Sequence, residues 1–341
     1  MSNESVARPG ETLTVSDIHA LVIAVLTANG CDEANAAAIA DTVAAAERDG
    51  CLSHGLFRIP GYVRSVKCGA VDGHARPSIT RPAPAVQRVD VNLGFAPLAL
   101  AMARPQLIEI ARQHGIAAQG LVRSHHFAAL WPEVEALAEA GLAAMAFTAS
   151  RAAVAPAGAS QPFFGTNPMA FAFPRGDKPP LVFDQASAAI ARGEVMIAAR
   201  DGHAVPEGMG IDRDGRPTTD PKAILDGAQL PFGGYKGSAI ALMVELLAAG
   251  LTGEAFGYEA HENANPKSGV QRSGELIIAL DPARFGDPDG WLAHTEAFFA
   301  RLTALEGVRL PADRRRKMRE ITAREGVRVA PALLAEIRNL L

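Results

Sequence analysis

The 341-residue sequence contains few aromatic residues, three cysteines and no long apolar run. Aromatic residues make up 6% of the chain, so the core must consist mainly of Ala, Leu, Ile and Val. Cys31, Cys51 and Cys68 lack the spacing of a disulfide framework or a zinc module, so we expect no bound metal and a reducing environment. No apolar run approaches the ~18 residues of a membrane-spanning helix, and the N-terminal residues are polar. These absences predict a cytoplasmic protein that does not bind the membrane.

The charge balance also excludes a class of partner. The formal net charge is -4, whereas a general nucleic-acid-binding protein needs a basic surface that neutralises phosphates. Apolar residues make up 48% and charged residues 21% of the chain, which is ordinary globular composition. We therefore expect a folded protein with no nucleic-acid partner.

The beginning of the chain is predicted to be helical. Ser16 is a candidate N-cap for a first helix that ends at Gly30. An Ala-rich second helix is expected over residues 35–48, and a third over residues 53–67, where Pro60 disturbs the pattern.

The middle of the chain mixes strands and helices. Residues 142–150, 169–175 and 181–184 form three strand-like runs with loops, and no helix, between them. Parallel strands need a crossover of about a dozen residues or more, usually a helix. The sheet should therefore be mixed or partly antiparallel, which counts against a doubly wound domain.

These patterns predict an α/β protein of the α+β kind with three segments. Residues 1–75 form an N-terminal helical region, and residues 76–282 form the domain with the mixed or antiparallel sheet. Residues 283–341 form C-terminal helices that pack back onto the N-terminal region, so both ends of the chain build one helical domain.

Several common catalytic motifs are absent from the sequence. It contains no G-x-G-x-x-G dinucleotide fingerprint and no G-x-x-x-x-G-K-[ST] phosphate loop. It also contains no H-E-x-x-H and no G-x-S-x-G. The sequence therefore gives no motif evidence for a Rossmann domain, a P-loop, a zincin or a hydrolase with a nucleophile elbow.

One short motif combines a proton donor with an anion-binding group. In the segment SHGLFR, His54 and Arg58 lie four residues apart and share a face if the segment is helical. An imidazole beside a guanidinium suits a small carboxylate substrate. Alternatively, Ser53 is only an N-cap and Arg58 a surface residue, which the spacing alone favours by about two to one.

Four further segments allow both a functional and a plain structural interpretation. Ser124-His125-His126 follows a strand-like run, where backbone N–H groups bind phosphates, or is simply a loop with two histidines. The segment GTNP at 165–168 presents polar groups to a ligand or forms a simple turn. FGGYKG at 232–237 resembles a phosphate cradle, and the arginine-rich run 309–328 grips the extra phosphate of NADP or forms a solvated helix face.

Six motifs taken in order carry a resemblance to a known family. SHGLFR, RSHHFAALW, FGTNPMAF, FDQAS, GIDRDGRPTTDP and LPFGGYKGSAI resemble the malate/L-lactate dehydrogenase family, NAD(P)-dependent oxidoreductases that lack the Rossmann fold. The resemblance covers residues 16–330. Within the family, HHFAALW, AIARGEV and RLPADRR are most similar to the Δ1-piperideine-2-carboxylate/Δ1-pyrroline-2-carboxylate reductases, which reduce cyclic ketimines to L-pipecolate and L-proline with NADPH.

The resemblance implies a set of site residues. His54 matches the proton donor, Ser53 the preceding charge-relay serine, and Glu194 the relay carboxylate, although relatives carry Asp there. The positions that match substrate-binding residues are Arg58, Thr166, Arg192 and Gly193. The positions that match cofactor contacts are His126, Phe127, Ala128, Ala129, Leu130, Asp184, Gln185, Ala186, Tyr235, Lys236, Arg309, Arg314 and Arg315.

The resemblance also implies the chemistry. NADPH, with NADH as a poorer substitute, donates hydride to C2 of the cyclic imino acid, His54 protonates the ring nitrogen, and Arg58 holds the carboxylate. It further implies a homodimer. A malate- or lactate-type 2-hydroxy acid dehydrogenase uses the same catalytic groups and stays the main alternative.

Two alternatives come from other classes of protein. One is a hydrolase with Ser53 as nucleophile, which is disfavoured because neighbouring side chains on a helix diverge by about 100°. The other is a scaffold protein in which Arg314–Arg316 bind an anionic partner.

Overall fold

The computed structural model describes residues 10–125 and 129–341. Its α-helices are α1 (Val15–Ala28), α2 (Glu33–Arg48), α3 (Ile59–Lys67), α4 (Ala96–His114), α5 (Trp131–Glu139), α6 (Arg192–Asp201), α7 (Pro221–Asp226), α8 (Tyr235–Val244), α9 (Gly257–Glu262), α10 (Trp291–Thr303), α11 (Asp313–Glu325) and α12 (Pro331–Arg338). Short 3-10 turns cover Leu52–His54, Leu56–Arg58 and Pro282–Arg284, and a π-helical turn, Glu245–Gly250, continues α8.

The strands are β1 (Glu11–Leu13), β2 (Ser78–Ala83), β3 (Val86–Asp90), β4 (Ile116–His125), β5 (Ala143–Thr148), β6 (Met169–Arg175), β7 (Lys178–Gln185), β8 (Gly210–Ile211), β9 (Pro217–Thr218), β10 (Ala228–Gln229), β11 (Arg272–Leu280) and β12 (Val327–Val329). The main sheet has seven strands in the order β2-β3-β4-β11-β5-β6-β7. Within it β3 and β4 are parallel and the other neighbours antiparallel. The prediction of a mixed α/β sheet is confirmed, because β5, β6 and β7 follow one another antiparallel without a crossover helix.

The first helix begins earlier than its sequence pattern predicts. Its N-cap is Thr14, not Ser16: the Thr14 hydroxyl accepts from the Asp17 N–H, and the Asp17 carboxylate accepts from the Thr14 N–H. This reciprocal capping box satisfies two backbone donors, whereas Ser16 offers none. The second helix, α2, ends at Arg48 as predicted.

The expected third helix over residues 53–67 is wrong in its first part. Two 3-10 turns replace it before α3, and Gly55 joins them with non-helical backbone angles. A Cβ at Gly55 would lie 2.1 Å from Glu47 Oε1, the same oxygen that accepts the Leu56 N–H at 2.7 Å. Pro60 disturbs nothing, because it lies in the first turn of α3, where its missing N–H is not needed.

Helix α6 begins at Arg192, after a short extended stretch. Ala188 pairs with Pro231 and the Ala189 N–H donates to Leu230 O, so this short stretch is extended. Backbone hydrogen bonds to another segment therefore override local helix propensity there.

Two large apolar clusters organise the molecule. One lies between the main sheet and helices α4 and α5. The other joins both ends of the chain, because Leu334 and Ile337 of α12 pack in the cluster that contains Val22 and Ile39. Strands β1 and β12 pair antiparallel beside it. None of the described helices has the length and hydropathy needed to cross a membrane.

Candidate active site

The turn after α2 brings the predicted proton donor and anion-binding residue together. Ser53 Oγ and His54 Nδ1 are hydrogen-bonded at 3.0 Å, and Arg58 Nε donates to Ser53 O at 2.7 Å. The expectation that the Ser53 and His54 side chains diverge is wrong, because a 3-10 turn replaces the α-helix. Ser53 lies inside this turn and does not cap a helix.

A buried carboxyl group supports this turn from α2. Glu47 is 4% exposed, and burial raises its pKa to about 7, against the opposing effect of the Leu56 N–H. Its Oε1 occupies the space beside Gly55, between the two 3-10 turns. The positions of His54 and Arg58 therefore depend on a side chain that no site motif of the sequence contains.

The beginning of α6 packs directly on the turn. A Cβ at Gly193 would lie 2.8 Å from Ser53 Cβ and 3.1 Å from Arg58 Nη2, so only glycine allows this approach. Arg192, the preceding residue, is half-buried. The structure therefore brings together Ser53, Arg58, Arg192 and Gly193, as the predicted site requires.

Three guanidinium groups form a cationic cluster here. Burial lowers the pKa of Arg192, and the nearby charges of Arg151 and Arg58 lower it further. Burial also lowers the pKa of Arg58. Arg192 makes no ion pair with a carboxylate in the described part of the chain. Such a cluster favours binding of an anion. All three side chains stay charged, because arginine is not deprotonated in proteins.

Glu194, the predicted relay carboxylate, follows Gly193 in the first turn of α6. Its side chain is exposed and forms no hydrogen bond within residues 10–125 and 129–341. The structure thus places Glu194 beside the site, pointing to solvent.

The GTNP segment is an ordered loop and not a simple turn. The Thr166 N–H donates to Ser150 Oγ at 3.1 Å, and the Thr166 and Ser150 hydroxyl oxygens lie 3.4 Å apart. The Ser187 N–H donates to Thr166 O, which joins this loop to the end of β7. Thr166 therefore lies beside the segment Asp184 to Ala186 that was predicted to contact the cofactor.

The start of α8 packs against the residues that follow β7. A Cβ at Gly237 would lie 2.3 Å from Phe232 O and 3.0 Å from Ser187 O, so the backbones meet there without space for a side chain. Tyr235 is 72% exposed and Lys236 is also exposed. These two residues consequently face solvent next to the end of β7.

Asp184 fixes the beginning of α5. Its Oδ2 accepts the N–H groups of Leu130 and Trp131 at 2.9 and 3.1 Å. The buried Trp131 ring stands edge-on to the His54 imidazole, with ring centres 6.4 Å apart, and Trp131 Nε1 donates to Asp49. Trp131, which the site prediction omitted, is thus the direct link between His54 and the predicted cofactor residues.

The arginine-rich run divides into exposed and inward-facing side chains. Arg309 and Arg314 are exposed, whereas Arg315 donates to Val182 O and lies over the Trp131 ring at 5.2 Å. Arg319 binds both Asp49 and Glu135 with paired hydrogen bonds. Only part of this run is therefore a solvated helix face.

The histidine cluster at the end of β4 also divides. His125 is 5% exposed, and burial lowers its pKa to about 4, so this histidine is a neutral core residue and not a loop residue. Ala129 and Leu130 are buried. His126, Phe127 and Ala128 lie outside the described residues.

The side chains present fit a phosphate-bearing cofactor. Lys236, Arg309 and Arg314 are exposed cations that make no ion pair with any described residue. No group of three or more His, Cys, Asp or Glu side chains in the described chain could hold a metal ion.

Some residues of the site had no signal in the motifs. Besides burial, the charge of Arg151 lowers the pKa of Arg192. Glu47 lies at a buried position of the Ala-rich helix α2. A charged residue on the apolar face of α2 is the one sequence feature that could have pointed to Glu47.

Comparisons with known proteins identify relatives over nearly the whole chain. The family described as malate/L-lactate dehydrogenase matches residues 13–338. A Delta(1)-pyrroline-2-carboxylate/Delta(1)-piperideine-2-carboxylate reductase of Pseudomonas putida is 46% identical over 327 residues, 96% of each chain. A (2R)-3-sulfolactate dehydrogenase (NADP(+)) of Chromohalobacter salexigens is 42% identical over 96% of this chain and 97% of its own length.

A solved structure is also closely similar. The crystal structure of delta1-piperideine-2-carboxylate reductase from Pseudomonas syringae pv. tomato matches with a TM-score of 0.92 and 45% identity, covering 97% of this chain and 100% of that one. The resemblance inferred from the six motifs is confirmed. The chain belongs to the malate/L-lactate dehydrogenase family and is an NAD(P)H-dependent oxidoreductase.

Proposed function

We propose that this enzyme reduces the cyclic ketimines Δ1-piperideine-2-carboxylate and Δ1-pyrroline-2-carboxylate to L-pipecolate and L-proline with NADPH. The observation that carries the proposal is the contact of Gly193 with Ser53 and Arg58, which brings the His54 imidazole, hydrogen-bonded to Ser53, close to the Arg58 guanidinium. The names of the relatives at 45–46% identity support the same substrates.

The residues of this chain divide the chemistry as follows. Arg58, held by Ser53 O, and Arg192 bind the substrate carboxylate and orient the ring. When bound, NADPH supplies the hydride that C2 accepts. His54 gives its proton to the ring nitrogen, so the C=N bond gains one hydride and one proton and becomes an amine. Ser53 orients the imidazole through Nδ1.

Glu194 completes the proposed relay. It follows Gly193 in the first turn of α6, so rotation about its own side-chain bonds is the movement that brings its carboxylate toward the imidazole. A carboxylate there favours the protonated form of His54, which the neighbouring arginines oppose.

The predicted cofactor residues are linked to this turn through Trp131, which contacts the His54 ring and whose backbone N–H donates to Asp184. We propose that Ala129, Leu130, Asp184, Gln185, Ala186, Tyr235 and Lys236 hold the dinucleotide, with His126, Phe127 and Ala128 of the undescribed segment. We propose that Arg309, Arg314 and Arg315 hold the extra phosphate of NADP, which the exposure of the first two side chains supports. NADH lacks that phosphate and is expected to be the poorer cofactor.

We also propose a homodimer. Leu242, Met243 and Leu246 form one face of α8 and its π-helical extension, and they are 49%, 38% and 54% exposed. Leu251 extends this apolar face with 68% exposure. Uncharged helix faces of this kind are covered by other protein surfaces, here by a second copy. Sedimentation equilibrium at micromolar concentration should therefore give the mass of a dimer.

The division into segments stays part of the proposal. Residues 1–75 and 283–341 share an apolar cluster at the two chain ends, and residues 76–282 contain the seven-stranded sheet. We propose that the sheet segment is the non-Rossmann NADP-binding domain and that the two ends form one helical domain.

Cofactor oxidation tests the function. The two cyclic imines, pyruvate and oxaloacetate are supplied in parallel with NADPH and with NADH, for the native enzyme and for His54→Ala. We expect fastest turnover of the imines with NADPH, and a loss of about a hundredfold or more in His54→Ala with cofactor binding nearly unchanged. Near-normal turnover in the variant would reject His54 as the proton donor.

A second candidate activity is reduction of 2-oxo acids. The clustered charges of Arg58, Arg151 and Arg192 exceed what one carboxylate needs, which favours a substrate with two acidic groups. The 42% identity to a sulfolactate dehydrogenase points the same way. If only oxaloacetate and pyruvate react in the assay above, the imine proposal is wrong and this one replaces it.

A further inference from the structure

One buried carboxylate outside the predicted site gathers three N–H donors. Glu245 is 3% exposed and lies where α8 passes into the π-helical turn. Its Oε1 accepts from Asn167 Nδ2 at 2.8 Å and from the Gly165 N–H at 3.4 Å, and its Oε2 accepts from the Gly257 N–H at 2.9 Å. No cation forms an ion pair with it in the described part of the chain.

A buried carboxylate such as Glu245 lowers the stability of the folded protein. Burying a carboxylate without a cation costs several kcal/mol, which three N–H donors offset only in part, and burial raises its pKa above the ordinary value. Unfavourable groups of this kind concentrate at functional sites, where geometry matters more than stability.

The donors belong to the loop that carries Thr166. Asn167 has φ +40°, a strained conformation for a residue other than glycine, and its side chain uses all its hydrogen-bonding groups. Its Nδ2 donates to Ala241 O and Glu245, and its Oδ1 accepts the Ser150 N–H. The strained backbone is therefore fixed from α8.

The neighbouring positions are equally restricted. A Cβ at Gly165 would lie 2.2 Å from Ser150 Oγ, the group that also accepts the Thr166 N–H. A Cβ at Gly257 would lie 2.7 Å from Glu245 Oε1. The Glu245 carboxylate thus connects α8 with the loop that carries Thr166 and with Gly257 at the start of α9.

We propose that Glu245 is the positioning residue of the substrate pocket: it acts through Asn167 and Gly165 to hold Thr166 against the bound imino acid. The inference rests on the proposed function, since Thr166 is assigned there to the substrate. Lys236, at the start of α8, lies nine residues before Glu245, about 13.5 Å along a helix. Ser187 joins the Thr166 loop to the predicted cofactor segment, so cofactor binding should change, but less than substrate binding.

Glu245→Gln is the sharpest variant. An amide has one acceptor oxygen, so in either orientation its NH2 group faces an N–H donor and at least one of the three hydrogen bonds is lost. We expect KM for Δ1-piperideine-2-carboxylate to rise about tenfold, with kcat and the NADPH dissociation constant each changed less than threefold.

Glu296→Gln is the matched control. Glu296 also accepts three hydrogen bonds, from Arg175 and Lys178, but it lies on α10 at the opposite end of β6 and β7 from the Thr166 loop. Its removal should lower the melting temperature while leaving KM unchanged. A rise of KM in both variants, or in neither, overturns the proposal.

Hydrogen–deuterium exchange separates this inference from the proposed function. The amides of residues 150–167 and of Gly257 should exchange faster in Glu245→Gln than in Glu296→Gln, whatever the substrate is. If the native enzyme turns over no imine, the proposed function fails while this exchange difference still supports Glu245 as the residue that holds the loop. Unchanged exchange refutes it independently of any activity.

Discussion

The last turn of α2 supplies carboxyl groups to two regions, and the two groups behave in opposite ways. Glu47 supports the turn that carries His54, and its partner is a backbone N–H. Asp49 supports α11, and its partners are Arg319, Arg48 and the Trp131 ring N–H. Both are almost fully buried, so burial alone does not determine the charge of either group.

The difference lies in the partners. Burial raises the pKa of Glu47 to about 7, because the single hydrogen bond from the Leu56 N–H does not offset the cost of burying the charged form. Burial acts in the same direction on Asp49, but the hydrogen bonds and charges of Arg319 and Arg48 outweigh it and hold the pKa below the ordinary value. One region of the site is therefore anchored by a carboxyl group that resists ionisation, and the other by ion pairs.

Removing the cation of the ion-paired region should have the largest effect on stability. Arg319→Met leaves Asp49 and Glu135 buried without their shared guanidinium, and breaking a buried pair in this way costs about 3–5 kcal/mol. Urea denaturation at pH 7 measures the loss.

Arg338→Met is its control. Arg338 also forms a paired contact, with Glu11, but both side chains are about half exposed. Solvent and salt screen such an exposed pair, so this variant should lose far less stability than Arg319→Met. Equal losses in the two variants would contradict the contrast between buried and exposed pairs on which the description of α11 rests.

The Glu47 region should respond to a single added methyl group. In Gly55→Ala the new Cβ collides with the Glu47 carboxyl, so the turn must shift and carry His54 with it. A misplacement of about 1 Å in a catalytic group lowers kcat/KM about a hundredfold. Steady-state kinetics with NADPH and the preferred imine measure the change.

Gly61→Ala tests whether this loss is specific. Gly61 lies within α3, and a Cβ there meets its nearest neighbours at ordinary contact distance, 3.5 Å or more. Alanine in a helix is favoured over glycine by about 0.5–1 kcal/mol, so this variant should be slightly more stable and fully active. A similar loss of activity in both variants would show that the Gly55–Glu47 contact is not its cause.

Much of the fold could be predicted because its signals are local. Local helical patterns predicted α1 and α2, and the absence of crossover segments between β5, β6 and β7 predicted their antiparallel order. The cap of α1 was missed because Thr14 and Ser16 are both good capping residues, and only the reciprocal bond from Asp17 decides between them.

The site was predictable to the extent that its groups lie close in sequence. The pair His54 and Arg58 was recognised, but on the assumption of a helix that Glu47 prevents from forming. Trp131, Arg151 and Glu245 were not recognised, because their roles depend on contacts between residues far apart in the chain. Local spacing carries no information about such contacts.

The smallest expected effect concerns the pH dependence of stability. A buried acid whose pKa is raised from 4.5 to about 7 binds its proton more tightly in the folded state, so folding stability falls as pH rises through that range. In Glu47→Gln the amide oxygen still accepts the Leu56 N–H, but nothing is left to ionise. Between pH 5 and pH 8 the native enzyme should therefore lose about 2 kcal/mol of unfolding free energy more than the variant.

Glu133, whose pKa burial also raises to about 7, is present in both proteins, so the variant keeps some pH dependence and the difference between the two curves is the quantity to compare. Urea denaturation at four pH values measures it, and parallel curves would show that Glu47 ionises in the folded protein as readily as in the unfolded chain.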